Sequence, residues 1–324
     1  MKKMKLMMGV ILTGAALALG VVSSQAAKIA VVGGSNDDAF WNLIKKGIDD
    51  ATPAVVANGG SVNYLRLTNY DNFAPDVVQL IRTAISQKVD GLVIPNWVPE
   101  AEDPAIKDAI AAGIKVILMN AGGADKAKEL GAINYVGSDE YVAGVAGGTY
   151  FGDHGSKHVL CVNTLPGTAN IEARCKGVID GITSKGGKGE LLPLPSTSFG
   201  NPTAVAEAIK ATLLKDGTID GVITISAGDA DAAANGIAQA SKTETAKLGS
   251  FDLNAAGLDR IMGKTQAFAI DQQPYLQSYL AVSLLASAID FGTSLPTFPV
   301  LTGPGIVDAS NIEATLAGVA KGAR

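Results

Sequence analysis

The fold is predicted most directly from the segment Val-Asp-Gly-Leu-Val-Ile at residues 89–94, which has a counterpart in Ile-Asp-Gly-Val-Ile-Thr at residues 219–224. Each segment follows a helical stretch and begins a run of apolar, largely β-branched residues. Such a run is typical of a buried strand. The echo between the two segments indicates two lobes built on the same plan.

Strand and helix patterns alternate on both sides of these two segments. In the first half, strands are predicted at residues 28–33, 61–67, 89–95, 114–120 and 132–137. The pattern restarts in the second half, with strands at 157–163, 219–226, 247–252 and 265–271 and helices at 171–184 and 201–215. Alternation of this kind builds a parallel sheet with helices on both faces. We therefore predict an α/β fold of two similar, doubly wound parallel-sheet lobes.

The first 26 residues have the pattern of a secretory signal peptide. Lys2, Lys3 and Lys5 form a basic start, an apolar stretch covers residues 6–22, and small residues precede a predicted cleavage after Ala26. A membrane anchor needs about 20 unbroken apolar residues, and this stretch is shorter and contains three glycines. We expect export of a free protein to the periplasm.

The expected export bears on the oxidation state of the two cysteines. The chain has two, Cys161 and Cys175. In an oxidising compartment such a pair favours a structural disulfide over free thiols. The bond would connect a strand to the helix that follows it.

Net charge and missing motifs exclude several functions. Three of the 26 basic residues lie in the signal segment, so 23 remain against 31 acidic residues, a formal charge of −8. This balance argues against nucleic acid or anionic lipid as a partner. His154 and His158, expected at the surface, lack further ligands at metal-site spacing. Dinucleotide and nucleophile-elbow motifs are absent. We expect no metal, no cofactor and no enzymatic activity.

Polar and aromatic residues follow the predicted strands, where open parallel sheets bind ligands. Amides and carboxylates exchange hydrogen bonds with hydroxyl groups, and a flat ring covers an apolar C–H face. The pattern therefore favours a hydroxyl-rich ligand. The candidate residues at these positions are Asn36, Asp38, Phe40, Trp41, Asn96, Trp97, Asn120, Arg174, Asp229, Asp252 and Gln272. Phe40 also fits the apolar stripe of its helix, Asp229 and Asp252 could serve as helix caps, and Asn36, Asp38 and Asn120 could simply build turns.

Several motifs resemble those of one known family over the whole chain after residue 26. Asp-Ala-Phe-Trp at residues 38–41 is similar to the family's Asn-Pro-Phe-Phe turn, and the stretch 173–177 to the one that holds its ligand-binding Arg, here Arg174. Asp252, in Gly-Ser-Phe-Asp at 249–252, matches a carboxylate with which the family binds its ligand. Gln272, in Asp-Gln-Gln-Pro at 271–274, matches the ligand Gln of the second hinge, and Phe199 matches a second-lobe aromatic. This is a resemblance to the type I periplasmic sugar-binding proteins, which include the ribose-binding protein.

The resemblance implies an organisation and a function. The lobes would comprise residues 27–138 plus 273–301 and residues 139–272 plus 302–324, joined by three chain crossings near Ser138, Gln272 and Leu301. The chain would act as a monomer that closes around a monosaccharide or sugar alcohol. Its partners would be an ABC permease in the inner membrane and the cytoplasmic ATPase of that permease. The alternative is a periplasmic sensor that presents its ligand to a chemoreceptor or kinase.

The sequence also departs from the ribose-type pattern. Asn120-Ala121 stands where the pattern has Asp-Arg, Gly228 replaces an Asn, and Pro95 displaces the Asn of the third strand to Asn96. The charged Asp-Arg clamp is lost and Trp97 is gained. Ribose itself is therefore doubtful, and a different sugar or an open-chain sugar alcohol is an equal candidate.

Overall fold

The computed structural model describes residues 26–324, which form two six-stranded sheets flanked by helices. The predicted signal peptide, except for Ala26, lies outside the described residues. Among residues 26–324, no helix combines the length and apolar character needed to cross a membrane. The predicted fold class is confirmed.

The first sheet is entirely parallel and runs in the order β11-β5-β4-β3-β1-β2. Its strands are β1 (Lys28–Gly33), β2 (Ser61–Arg66), β3 (Gly91–Ile94), β4 (Lys115–Met119), β5 (Asn134–Ser138) and β11 (Val300–Gly303). The helices of this lobe are α1 (Ala39–Ala57), α2 (Phe73–Ser86), α3 (Pro99–Ala111), α4 (Gly123–Leu130) and α10 (Pro274–Asp290). The central strands β3, β4 and β5 are buried along nearly their whole length, as expected for strands covered on both faces.

The second sheet repeats the plan in the order β12-β10-β9-β8-β6-β7, with only β12 antiparallel to its neighbour. Its strands are β6 (His158–Asn163), β7 (Lys188–Pro193), β8 (Gly221–Thr224), β9 (Lys247–Phe251), β10 (Phe268–Asp271) and β12 (Gly305–Asp308). Its helices are α5 (Glu140–Asp153), α6 (Ala169–Ser184), α7 (Pro202–Lys215), α8 (Ala227–Gln239), α9 (Ala255–Met262) and α11 (Ile312–Val319). The segments at 89–94 and 219–224, compared above, end in the equivalent strands β3 and β8.

The chain passes between the two sheets three times within the described residues. It leaves the first sheet after β5 and returns after β10. The third passage is at Pro304, between β11 of the first sheet and β12 of the second. Leu301 lies inside β11, where it pairs with Gly137. The third crossing therefore comes slightly later than the sequence predicts, because β11 extends to Gly303.

Close packing of α5 on α6 fixes the helix that carries Arg174. A Cβ on Gly144 would lie 2.1 Å from the carbonyl oxygen of Arg174, and one on Gly177 would lie 2.2 Å from that of Tyr141. No Cβ fits at such distances, so glycine lets the two backbones touch. The predicted disulfide between Cys161 of β6 and Cys175 of α6 is confirmed, with its Cα atoms 5.6 Å apart. Helix α6 is thus held both to its sheet and to α5.

Candidate functional site

The carboxyl ends of the two sheets face each other across a cleft with about 530 Å³ of empty space, part of it open to solvent. We call this space the inner cavity. Both lobes line it with a mixture of rings and polar groups, which is the composition of a small-molecule site. The polar residues are Asp38, Asn120, Thr168, Asn170, Arg174, Ser226, Asp252 and Gln272.

Six aromatic rings form a continuous chain around the inner cavity, which we call the aromatic belt. In order of contact, the belt consists of Phe40, Trp41, Trp97, Phe73, Tyr70 and Phe199, with successive ring centroids 5.1–5.6 Å apart. Four of the five contacts are edge-on, an arrangement that is favourable for aromatic rings at these distances, and the contact between Phe73 and Trp97 is tilted. The chain contains only two tryptophans, and both belong to the belt. The contact between Tyr70 and Phe199 joins the two lobes.

Glu102 positions the loop that carries Trp97. Its side chain is fully buried and accepts hydrogen bonds from the backbone N–H groups of Trp97, at 2.9 Å, and Val98, at 3.1 Å. Burial raises the pKa of Glu102 to about 8, and the two backbone bonds oppose this rise. The carbonyl oxygen of Trp97 accepts a hydrogen bond from Ala169 N of the other lobe at 2.8 Å. The loop therefore contributes both a ring and a contact between the lobes.

Asp38 lies at the start of α1, where the polar turn after β1 directs it into the cleft. Its carboxylate caps the helix by accepting from Phe40 N at 3.0 Å and also accepts from the hydroxyl of Tyr70 at 2.8 Å. Burial raises the pKa of Asp38, and these two hydrogen bonds oppose the rise. Asp38 is therefore a helix cap and a cavity residue at once.

Arg174 is the centre of a buried polar network. It is 3% exposed, and its Nε donates to Glu140 Oε2 at 2.6 Å. Nη1 donates to the carbonyl oxygen of Ile225 at 2.9 Å, and Nη2 donates to Gln272 Oε1 at 2.7 Å. Burial lowers the pKa of Arg174, but the charge of Glu140, the hydrogen bond to it and the nearby Asp252 together outweigh burial, so that the pKa is raised. The guanidinium stays charged and is fixed in orientation beside the cavity.

Asn120 and Asp252 occupy equivalent positions, directly after β4 and β9, and both have left-handed backbones, with φ of 67° and 65°. Asn and Asp tolerate this region better than most residues, and such conformations cluster at functional sites. Asp252 accepts a hydrogen bond from Gln272 Nε2, and Asn120 Nδ2 lies 3.4 Å from Gln272 Oε1. Burial raises the pKa of Asp252 to about 7, against the opposing effects of Arg174 and Gln272.

The structure adds a polar residue that the sequence did not single out. Asn170, in the first turn of α6, is 7% exposed and lines the inner cavity. Its Oδ1 has no hydrogen-bond partner among the described residues. Its position one helical turn before Arg174 could have identified it, because residues four apart share a helix face. The sequence prediction also lacks Tyr70 and Phe73, although both follow β2, another strand of the same parallel sheet, and line the cavity.

Nine of the twelve candidate residues line the inner cavity, and three do not. Asn36 is exposed in the turn before α1, and its carbonyl oxygen accepts from Asn42. Asn96 is fully buried and donates to Asp103 of α3 at 3.0 Å, because it faces that helix. Asp229 lies in the first turn of α8, where it lines a wider space outside the inner cavity.

The two histidines differ in environment. His154 is exposed and stacks on Tyr150 with ring centroids 3.9 Å apart. His158 is 4% exposed, so its expected surface position is wrong. It begins β6 and contacts Thr218 and Glu190 through its two ring nitrogens. Its ring nitrogens and the carboxylates of Glu190 and Asp216 are close enough to hold a metal ion, but none of these residues lines the cleft.

Comparison with known proteins agrees with this architecture. A family model described as a periplasmic binding protein domain matches residues 29–294. The xylose/arabinose-binding protein XylF of Sulfolobus acidocaldarius is 27% identical over 304 residues, which cover 88% of this chain and 72% of that protein. Two lobes around a cavity of rings and polar groups define the class of two-lobed solute-binding proteins.

Two solved structures show the same arrangement. The structure of a carbohydrate transporter from Acidothermus cellulolyticus 11B, in complex with myo-inositol, is 34% identical with a TM-score of 0.82 and covers 93% of this chain and 100% of that one. GanP, a glucose-galactose binding protein from Geobacillus stearothermophilus, shares the fold at 21% identity, with a TM-score of 0.78 over 89% of this chain and 99% of that one. The chain belongs to the periplasmic binding protein family, among its type I sugar-binding members, as the sequence motifs predicted.

Proposed function

We propose that this chain is the solute-binding component of an ABC importer and that it holds a monosaccharide or sugar alcohol in the inner cavity. The observation that supports this most is the aromatic belt combined with the polar network of Arg174, Asp252 and Gln272 in one cavity between the lobes. The proposed site residues are the nine candidates that line the cavity, together with Asn170. No residue is assigned a catalytic role.

The aromatic rings and the polar groups of the cavity would bind different parts of the ligand. The rings of the belt would cover the C–H faces of a sugar ring, where water makes no hydrogen bonds. Arg174 has N–H groups beyond the three bonds described, and Asp252 has a second oxygen, so each can bind a hydroxyl group. A hydrogen bond from a hydroxyl to a charged group contributes about 1.5–3 kcal/mol, against 0.5–1.5 kcal/mol for a neutral pair.

Closure of the two lobes would follow from ligand binding. The belt belongs mostly to the first lobe, whereas Asn170, Arg174 and Asp252 belong to the second. A ligand that fills the cavity therefore contacts both lobes only when they are closed, and its binding favours the closed state. The permease would recognise that state. A sensor would use the same closed form, and no contact in the described residues favours a sensor over an importer.

The ligand class can be narrowed. The structure at 34% identity is a complex with myo-inositol, a ring in which every carbon carries a hydroxyl. A belt of six rings suits a compact cyclic ligand better than an open chain, because a ring presents flat C–H faces. We therefore place cyclic polyols and pyranoses ahead of open-chain alditols as ligands. We further propose that residues 1–26 are removed when the chain is exported to the periplasm.

A thermal-shift screen of the chain from residue 27 tests this function. The panel contains myo-inositol, the sugars D-glucose, D-galactose, D-xylose, L-arabinose and D-ribose, and the alditols of these five sugars. A ligand at 100 times its dissociation constant stabilises the fold by about 2.7 kcal/mol, so at least one cyclic member should raise the melting temperature by several degrees. Calorimetry should then give one site per chain. No shift with any member would refute the proposal, and a shift only with alditols would refute the preference for rings.

A further inference from the structure

The inner cavity opens into a wider outer chamber between the lobes. Six residues line both spaces and so mark the junction between them: Asp38, Phe40, Tyr70, Phe199, Ser226 and Asp252. Asp229 lines the outer chamber beside this junction and is 5% exposed. A substituent on a ligand in the inner cavity would meet these groups first.

Carboxylates outnumber cations throughout the cleft. The residues that line its two spaces include seven aspartates and two arginines. Both arginines are already engaged, because Arg174 pairs with Glu140 at 2.6 Å and Arg324 pairs with Asp271 at 2.7 Å. The cleft therefore presents an excess of negative charge to whatever enters it.

Three of these carboxylates face the junction without an ion pair. Within residues 26–324, neither Asp38, Asp229 nor Asp252 has a cationic nitrogen within 4.0 Å of its carboxylate. Asp231, two residues after Asp229, does have one, in Arg260 at 2.7 Å. Burial is the main cause of the raised pKa of Asp229 and of Asp252 in the second lobe, and the negative charge of Asp38, from the first lobe, adds to the rise at both. Asp38 is thus close enough to Asp229 and to Asp252 to repel each of them.

Other charged and titratable groups around the three carboxylates do not remove this repulsion. Asp38 is faced by Tyr70, which donates one hydrogen bond, and by Arg66, whose guanidinium donates to the backbone oxygens of the turn before α1 and to Asn42. Asp252 is faced by Arg174 and its partner Glu140. Asp229 is faced by the neutral hydroxyls of Thr164 and Ser226.

Asn170 gives an independent indication of what the cavity lacks. Its Oδ1 is a buried acceptor without a partner among the described residues, and it lines the inner cavity. An amide donor of Gln272 is already used by Asp252, and Asn120 Nδ2 is directed to Gln272 and Gln277. The cavity therefore has an unsatisfied acceptor beside the free N–H groups of Arg174, and a donor on the ligand would satisfy that acceptor. An ammonium group offers three donors, no acceptor and a positive charge.

We propose that this cleft also recognises carbohydrates that carry an ammonium group, namely amino sugars and aminocyclitols, and that it rejects carbohydrates with a carboxylate or phosphate group. The ammonium group would lie at the junction, between Asp38 of one lobe and Asp229 and Asp252 of the other, and would relieve their repulsion as the lobes close. The rings of Phe40, Tyr70 and Phe199 at the same place add to the attraction, since aromatic faces attract cations. This inference rests on the proposed sugar-binding function and extends its ligand class.

Competition between matched ligands tests the inference. The tightest neutral ligand of the screen, myo-inositol or a pyranose, is compared by calorimetry at pH 7 and fixed salt with each of its monoamino-monodeoxy derivatives and with a matched anion, which is the uronate of a hexose or the monophosphate of a cyclitol or pentose. At least one amine should bind as tightly as its neutral parent or up to tenfold tighter, and the matched anion should bind at least 100-fold more weakly. The ratio of amine to parent affinity should fall at least threefold at pH 5, because protonation of Asp229 and Asp252 removes their charge.

Two variants that change residues of α8 separate the effect of charge on amine binding from the effect of shape. Asp229→Asn should reduce the ratio of amine to parent affinity about tenfold at pH 7. Asp231→Asn combined with Arg260→Gln, the matched control, removes an ion pair at the same helix without changing the net charge and should leave that ratio within twofold. An unchanged ratio in the Asp229→Asn protein would overturn the role of Asp229.

Failure of the inference differs from failure of the proposed function. If the neutral parent binds and every amine binds more weakly than that parent, the ammonium site does not exist and the sugar site stands. If the matched anion binds as well as the parent, the charge of the cleft plays no part in selection. If no neutral carbohydrate binds at all, the proposed function fails and the inference fails with it.

Discussion

Alanine at position 174 is expected to destabilise the protein by about 3–5 kcal/mol and to abolish sugar binding. Arg174 is 3% exposed, and its loss leaves the carboxylate of Glu140, itself buried, without its partner at 2.6 Å. Removing one member of a buried ion pair has a cost of this size. The free energy of unfolding is measured in urea, and binding by calorimetry at a temperature where the variant is folded.

A double variant separates stability from recognition. Arg174→Met combined with Glu140→Gln removes both charges, so most of the lost stability should return while binding stays absent. Lys176→Ala, on the same helix, is the matched control, because its ion pair with Asp180 is exposed, and it should change neither property appreciably. Native affinity in the double variant would show that Arg174 does not contact the ligand.

Asparagine at position 252 is expected to weaken sugar binding roughly 10- to 100-fold and yet to stabilise the ligand-free protein at pH 8. Loss of a charged acceptor for a hydroxyl group accounts for the weaker binding. The pKa of Asp252 is raised by burial to about 7 from an ordinary value of 3.8. The folded state therefore holds this proton more tightly than the unfolded state, so stability falls as the pH rises from about 4 to about 7. Asparagine keeps the left-handed backbone and removes this penalty.

The size and the pH dependence of this effect identify its cause. At pH 8 the variant should exceed the wild type by roughly 1–3 kcal/mol in free energy of unfolding, and at pH 4 the two should be nearly equal. Urea unfolding of the ligand-free proteins at both pH values measures the difference. A difference that does not change with pH would mean that the carboxyl group of Asp252 ionises at its ordinary pKa.

Much of the fold could be predicted because its central strands are buried on both faces. The runs at β3, β4, β8 and β9 are short, apolar and bounded by helical patterns, so periodicity identifies them. Strand β7 was missed because it lies at the sheet edge with an exposed pattern, Lys-Gly-Glu-Leu-Leu-Pro. Strands β11 and β12 have four residues each, and their places depend on partners far away in sequence.

The candidate site was predicted where a residue follows a strand, since the carboxyl ends of parallel strands converge. Asp38, Asn120, Asp252 and Gln272 meet this condition and line the inner cavity. Asn96 also follows a strand, but its side chain faces α3. The direction of a side chain depends on local backbone angles, which cannot be read from its position in the sequence. The ion pair between Arg174 and Glu140 could not be predicted from the sequence either, because Glu140 lies on another helix, 34 residues earlier.

The central claim is that a single solute contacts both lobes and thereby closes them, and small-angle X-ray scattering with and without the tightest ligand of the screen tests it directly. The saturated protein should give the curve calculated for the present structure, in which Tyr70 and Phe199 are 5.1 Å apart, and the ligand-free protein should have a larger radius of gyration. The Arg174→Met, Glu140→Gln double variant should show no change on addition of the same ligand. Identical curves for the saturated and ligand-free wild type, at confirmed full occupancy, would contradict the account.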